Sequence, residues 1–288
     1  MNIAGHEIGK EPFIIAEAGL NHGGDINAAI EMIGTAAACG VTAVKFQTFK
    51  AADVCDEEQD YSYKSQGKKV TEKRIEIFRR CELPVSAWPH LKAECDRQGV
   101  IFLSTPETPA DLDILLEVGI PAIKIGSDNL TNLPMLRYCA RDDVGLPMII
   151  STGMSTADEI ETARKTIGDV PRIWMVCTSQ YPTPTEDANL LRIKTMFKSP
   201  CLMGFSDHTR GYMPAALAVA LGACVFEKHF TLSHDLPGPD HWWSADPKEL
   251  ENWVDMIHKA HVMLGDGIVK PSKQELVNKE QYQRKVAA

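Results

Sequence analysis

Two lysines sit inside apolar runs: Lys45 in Ala43-Val44-Lys45-Phe46-Gln47 and Lys124 in Ala122-Ile123-Lys124-Ile125. A buried ammonium is costly unless it meets an anion. Two such lysines on different strands suit a carboxylate or phosphate ligand, and the competing reading pairs them with an internal acid, Glu17 or Glu227. Gln47 shares a strand face with Lys45, because side chains alternate along a strand. His208 and His229 end two further runs. If those strands are neighbours, the two imidazoles can share a divalent metal beside Glu17, with positions left open for a substrate oxygen. The competing reading is a pair of hydrogen-bonded structural histidines; His22, His234 and His241 are weaker candidates. Hydroxyls gather at run ends, at Ser104, Thr105, Ser127, Ser151, Thr152, Thr178, Ser179 and Ser206. Such groups can cradle phosphate oxygens.

These residues lie at the ends of eight short apolar runs: 13–17, 43–47, 100–105, 122–127, 148–152, 173–178, 202–208 and 223–229. Continuous apolar character is what a parallel strand covered on both faces requires. A segment of helical length follows each run: 25–39, 84–98, 107–118, 131–141, 155–167, 186–198, 212–221 and 247–264. Asp25 and Ser155-Thr156 are N-cap signals, and Gly40, Gly99, Gly119 and Gly168 are stop signals. Eight alternations predict an α/β fold, a (β/α)8 TIM barrel forming a single domain over 1–268. A doubly wound open sheet is the runner-up, disfavoured by the lack of a glycine-rich phosphate loop after the first strand. In a barrel the polar strand ends meet at one rim, where the active site is expected.

The 288 residues, 44% of them hydrophobic, suit one barrel of roughly 250 residues. A net charge of −9 offers no general attraction for nucleic acid or an anionic membrane. No apolar stretch approaches the roughly 20 residues that span a bilayer, and the N-terminus lacks a signal-peptide pattern. The eight cysteines are scattered without a CxxC pair, as expected for reduced thiols in a cytoplasmic protein. Two long loops break the rhythm. Residues 50–70 are polar and follow strand two, so they form either a substrate lid or a solvated surface loop. Residues 231–246 hold Trp242-Trp243, which must cover the barrel mouth or a subunit interface.

The ordered set of motifs resembles the sialic acid synthase family. It comprises Ile15-Ala16-Glu17-Ala18-Gly19-Leu20-Asn21-His22, Val44-Lys45-Phe46-Gln47-Thr48, Leu103-Ser104-Thr105-Pro106, Ile123-Lys124-Ile125-Gly126-Ser127 and Ser151-Thr152-Gly153-Met154. It continues through Tyr181-Pro182-Thr183-Pro184, Gly204-Phe205-Ser206-Asp207-His208-Thr209, Glu227-Lys228-His229-Phe230-Thr231 and Pro237-Gly238-Pro239-Asp240. The resemblance implies condensation of phosphoenolpyruvate with an open-chain N-acyl hexosamine, giving a nonulosonic acid and phosphate by C–O cleavage. It implies that His208 and His229 hold manganese or magnesium. Lys45, Thr105, Lys124, Ser127, Ser151 and Ser206 would hold phosphoenolpyruvate, Glu17 would manage a proton or orient the attacking water, and Gln47, Tyr181 and Asp240 would contact the sugar. A homodimer is also expected on this resemblance.

Three departures qualify it. Asp128-Asn129 stands where the family usually has Gly-Glu, and Ser179 stands where strand six usually provides an asparagine. Both Asn129 and Ser179 fall at substrate-binding positions, so an acceptor other than N-acetylmannosamine comes into view. Residues 269–288 resemble the start of a linker to an antifreeze-like domain. The alternatives are a barrel that binds phosphoenolpyruvate without turnover, and a metal-dependent hydrolase.

Overall fold

The computed structural model describes residues 1–197 and 201–284. Eight parallel strands form the barrel: β1 (Phe13–Glu17), β2 (Ala43–Thr48), β3 (Ile101–Pro106), β4 (Ile123–Ile125), β5 (Met148–Ser151), β6 (Arg172–Val176), β7 (Leu202–Ser206) and β8 (Ala223–His229). They follow chain order around the ring, with β8 hydrogen-bonded to β1. The ring closes where β3 and β4 pack side by side, without a shared ladder among the described residues. The (β/α)8 fold read from the alternation is therefore the observed one.

Each strand has two apolar requirements, one inward and one outward. The outward residues, such as Ile14, Ala16, Val44 and Phe46, pack against the helix ring. Helix α1 (Ile26–Ala38) meets them with Ala29, Met32, Ile33 and Ala36, a helical-period stripe. Its Asp25 side chain accepts from the Asn27 amide. α2 (Ala87–Gln98) ends at left-handed Gly99. α3 (Pro109–Val118) and α5 (Ala157–Ile167) begin with reciprocal capping boxes, Thr108/Asp111 and Thr156/Glu159. α4 spans Leu133–Cys139, α6 Arg192–Thr195, α7 Met213–Ala220 and α8 Pro247–Leu264.

The inward residues divide by height. Phe13, Ile15, Ala43, Leu103, Ala122, Ile149, Ile173, Met175 and Val225 fill the lower barrel. An N-terminal hairpin, Asn2–Ile3 with His6–Glu7, plugs the bottom by adding Ile3 and Ile8 to this layer. One strand step higher, the inward positions become polar. Gly204 lies at the transition on β7, where a Cβ would approach the Val225 carbonyl to 2.6 Å.

Three segments differ from the expected elements. The helix expected over 186–198 is a 3-10 turn, Thr185–Asp187, followed by the single-turn α6, because Asn189 adopts a left-handed φ of 41° between them. Its expected end, Lys198, and the tail residues 285–288 lie outside the described residues. Residues 50–70 are neither coil nor featureless. They contain a short helix, Ala51–Val54, and most of an antiparallel hairpin, Asp60–Ser65 with Lys68–Lys73, whose turn uses positive φ at Gln66 and Gly67. Within 269–288, Lys273–Tyr282 forms a capped but fully exposed helix. No described helix is long and apolar enough to cross a membrane. All eight cysteines are free thiols.

Asp207 joins the barrel to its last helix. Its fully buried carboxylate accepts from Trp253 Nε1 of α8 at 2.9 Å, pairs with Lys228 at 3.1 Å and accepts from the Thr209 amide and hydroxyl. Removing one member of a buried ionic network leaves the rest uncompensated. Asp207→Ala should lose about 3–5 kcal/mol of unfolding free energy, measured by urea titration; a loss under about 1 kcal/mol would show that the network adds little.

Candidate active site

Parallel register sets the site. Glu17 aligns with Lys45 on β2 and with His229 on β8, Ser206 aligns with Glu227, and Gln47 aligns with Thr105. Aligned residues on neighbouring parallel strands project to the same side, so one tier of the barrel mouth collects them. They surround a cavity of about 260 Å³ that also takes in Lys124, Ser127, Ser151, Ser179, Tyr181 and His208. Asp240 lines an adjoining cavity of about 320 Å³ together with Gln47, Tyr181 and His229. Asn129 lines neither: its amide donates to Glu107 Oε2 at 2.9 Å and its carbonyl oxygen accepts from Asn132.

Lys45 is the electrostatic centre. Its Nζ lies 2.7 Å from Glu17 Oε2 and 3.7 Å from Glu227 Oε2, and donates to Thr105 Oγ1 at 3.1 Å. Burial opposes the Lys45 charge, but Glu17 and Glu227 outweigh it and raise its pKa. Lys124 instead donates to Ser151 Oγ at 2.6 Å and to the Ile125 carbonyl. Burial lowers its pKa, and among the described residues no carboxylate forms an ion pair with it. The internal-acid reading thus applies to Lys45, while Lys124 keeps capacity for an incoming anion. Burial also pushes Glu17 up to about 7, with Lys45 opposing the rise. Burial works in the same direction on Glu227, yet Lys124 and Lys45 bring it down to about 2. Ser206 Oγ donates to Glu227 Oε1 at 3.0 Å.

The two histidines are neighbours, with ring centroids 5.6 Å apart. His208 Nδ1 lies 2.7 Å from the Thr178 carbonyl. A carbonyl only accepts, so Nδ1 carries the proton and Nε2 keeps its lone pair. His229 Nδ1 is buried without a hydrogen-bond partner. Burial lowers both pKa values, His229 well below the usual range, so both rings are held neutral with a nitrogen lone pair each. Gly19 makes room beside them: its φ is 52°, and a Cβ there would come within 3.2 Å of His229 Nδ1 and 3.7 Å of Glu17 Oε1. An orphaned imidazole, a lone-pair nitrogen and oxygen donors beside them fit a divalent cation. Another trio, His234, Asp246 and Glu249, has donors within 4.8 Å. Its acids form the α8 capping box, and His234 Nε2 lies 2.9 Å from the Ser244 carbonyl, so those groups are already engaged.

The two long loops roof this tier. Trp243 stacks near His229 at 4.8 Å and Tyr181 at 4.9 Å, while Tyr181 lies 4.4 Å from His208. Trp242 carries Lys64 of the hairpin on its ring, and Gly238 donates to the hairpin's Ser65. The tryptophans therefore cover the barrel mouth, and the segment expected as lid or surface loop rests on that cover. His22 and His241 are structural: His22 Nδ1 accepts from the Gly24 amide and His241 bonds Thr231 Oγ1. Glu107 is a cavity-wall acid not singled out by the sequence reading. Its signal was alternation, since Leu103, Thr105 and Glu107 share the inward phase.

Because Glu17 has a folded pKa above its unfolded value of 4.5, the folded chain keeps a proton that the unfolded chain releases between 4.5 and about 7. Its contribution to stability falls as pH rises through that window. Lys45→Met removes the cation between two carboxyls and extends this penalty upward in pH. Urea titration should show a loss of about 3–5 kcal/mol near pH 8 and a smaller loss near pH 5. An equal loss at both values would mean that the ammonium does not control these carboxyls.

Residues 32–269 match the model of the NeuB family. The chain is 40% identical to the N,N'-diacetyllegionaminic acid synthase of Legionella pneumophila, over 92% of this chain and 76% of that protein. It is 35% identical to the N-acetylneuraminate-9-phosphate synthase of Mus musculus, over 93% and 74% respectively. The crystal structure of N-acetylneuraminic acid (sialic acid) synthetase from Leptospira borgpetersenii, in complex with citrate, superimposes with a TM-score of 0.85 at 34% identity, covering 99% of this chain and 98% of that one. With its barrel, the matching family model and these relatives in agreement, the chain belongs to the NeuB family of sialic acid synthases and is an enzyme of that family.

Proposed function

We propose that the chain condenses phosphoenolpyruvate with an open-chain N-acyl hexosamine-type aldose to give a nonulosonic acid and phosphate. The charge inventory of the cavity carries this reading. Lys45 and Lys124 face Glu17 and Glu227, a balanced set. A ligand bearing a carboxylate and a phosphate of roughly −2 charge upsets that balance. Proton retention by Glu17 and a divalent cation at His208 and His229 restore it. The residues fit both requirements.

Phosphoenolpyruvate fits beside Lys124 and Lys45, with Thr105, Ser127, Ser151 and Ser206 offering hydroxyls to its oxygens. The unpartnered Ser179 Oγ supports an occupant in the same cavity. Bound manganese or magnesium would polarise the acceptor aldehyde. The C3 carbon of phosphoenolpyruvate then bonds to the aldehyde carbon, and protonated Glu17 gives its proton to the aldehyde oxygen. Water adds to the cationic C2 and returns a proton to the Glu17 carboxylate. The tetrahedral adduct then collapses: the C2–O bond to phosphate breaks, the C2 hydroxyl proton passes to the departing phosphate, and a 2-keto-3-deoxy acid remains. Lys45 keeps Glu17 oriented through both transfers, and Tyr181 and Trp243 exclude bulk water.

The acceptor extends into the 320 Å³ cavity. Gln47 and Asp240 provide polar contacts there, and Leu20, Val54, Ile77 and Phe78 form an apolar end suited to acyl or deoxy methyl groups. The names of the legionaminic and neuraminate-9-phosphate synthases support a nonulosonic product.

The test is phosphate release from phosphoenolpyruvate and manganese with N-acetylmannosamine, its 6-phosphate or a 2,4-diacetamido-2,4,6-trideoxyhexose. At least one acceptor should yield equal amounts of phosphate and 2-keto acid, with oxygen from labelled water in the sugar acid and none in the phosphate. No release with the whole panel would falsify the reading. His229→Ala should lower kcat at least about a hundredfold with an unchanged circular dichroism spectrum. Undiminished turnover in metal-buffered assays would remove His229 from the metal site.

A further inference from the structure

Glu107 forms no ion pair with either site lysine among the described residues, and it shares the cavity wall with Asp128 and Gln47. Its carboxyl lies beside that of Asp128, which opposes its ionisation. Among the described residues neither acid belongs to an ion pair. Both are held from behind. The Glu107 amide donates to the Thr48 carbonyl, Asn129 Nδ2 donates to Glu107 Oε2 at 2.9 Å, and the Asn129 amide donates to Asp128 Oδ1 at 3.1 Å. Asn129 is itself fixed by Asn132, the N-cap of α4. Burial, with the neighbouring Asp128 adding to it, pushes Glu107 up to about 8.

Burial and the neighbouring Asp128 carboxyl both favour a proton on Glu107. A protonated Glu107 offers one hydrogen-bond donor, and the two carboxyls together offer several acceptor oxygens on a rigid frame. Such a frame, with no ion pair of its own among the described residues, suits a neutral group with both donors and acceptors. Its position decides which substrate it meets. It stands where the lysine-bearing cavity opens into the apolar-ended one, beyond the anion-binding corner.

We infer that the Glu107–Asp128 pair is the acceptor-recognition element, binding hydroxyl and acylamino groups of the sugar beside Gln47 and setting acceptor specificity. Asn129 acts as a positioning residue that aims Glu107. The assignment rests on the condensation reading above.

The experiment measures steady-state kinetics of Glu107→Ala, Glu107→Gln and Asp128→Asn with the best acceptor of the three-sugar panel, varying each substrate separately. Glu107→Ala should raise acceptor KM roughly ten- to hundredfold and leave phosphoenolpyruvate KM within about twofold. Glu107→Gln, which keeps shape and hydrogen bonds, should raise it less and change the ranking of the three sugars. Calorimetric affinity for phosphoenolpyruvate should be unchanged in all three variants. An unchanged acceptor KM in both Glu107→Ala and Asp128→Asn overturns the assignment, as does an equal rise in phosphoenolpyruvate KM. Wild-type protein that binds phosphoenolpyruvate but turns over none of the sugars overturns the condensation reading, and this assignment falls with it.

Discussion

Charge balance inside a dry barrel constrains everything else at this mouth. Lys45 stands within ion-pair distance of both Glu17 and Glu227, and all three are nearly excluded from solvent. A buried charge without a partner costs several kcal/mol. The lower barrel is packed with apolar side chains and closed by the N-terminal hairpin, so no solvent route relieves that cost from below. The charges must therefore settle among themselves at the upper tier. Lys124 is the exception, because it has only a hydroxyl and a carbonyl as direct partners and so would accept an anion in the proposed reaction.

The barrel topology makes the balance possible. Parallel register places Glu17 between Lys45 and His229, bringing together residues 184 positions apart or more across the β8–β1 seam. The neighbouring β7–β8 pair places the Asp207 network directly behind His208. Thr209 and Lys228 bind Asp207 on the outer side while the imidazole faces inward. Rigidity behind the ligand and openness in front of it thus come from consecutive residues, as strand alternation requires.

Much of this was legible in the sequence. Continuous apolar runs and cap signals identify the strands and most helices, because buried parallel strands leave no choice of residue type. The mouth was legible for the same reason: a lysine inside an apolar run has few physical explanations. The short helical turns around Asn189 were not, since a single left-handed residue interrupts a helix without changing its hydrophobic period. The hairpin over 60–73 escaped notice because its strands are polar and depend on contact with the 231–246 loop. Glu107 was hidden by its position at a strand-to-helix junction, where an acid also reads as a helix-start residue. Asn129 lies in a conspicuous motif, yet its amide serves Glu107 rather than the cavity.

Three glutamates at one rim hold their protons differently, and neighbours rather than burial decide the order. Burial drives all three upward. Glu227 is nevertheless drawn down to about 2 by two lysines, so it remains a fixed counter-anion. Glu17 has one close lysine and the repulsion of Glu227, and stands at about 7. Glu107 has the Asp128 carboxyl beside it, which outweighs Lys45, and stands at about 8. The gradient runs from the lysine-bearing cavity toward the apolar-ended one. In the proposed reaction the fixed anion of Glu227 would anchor the lysines, the switchable acid of Glu17 would move a proton twice, and Glu107 would meet the neutral acceptor. One residue type would thus supply three functions, and the strands that carry the lysines determine which glutamate does which.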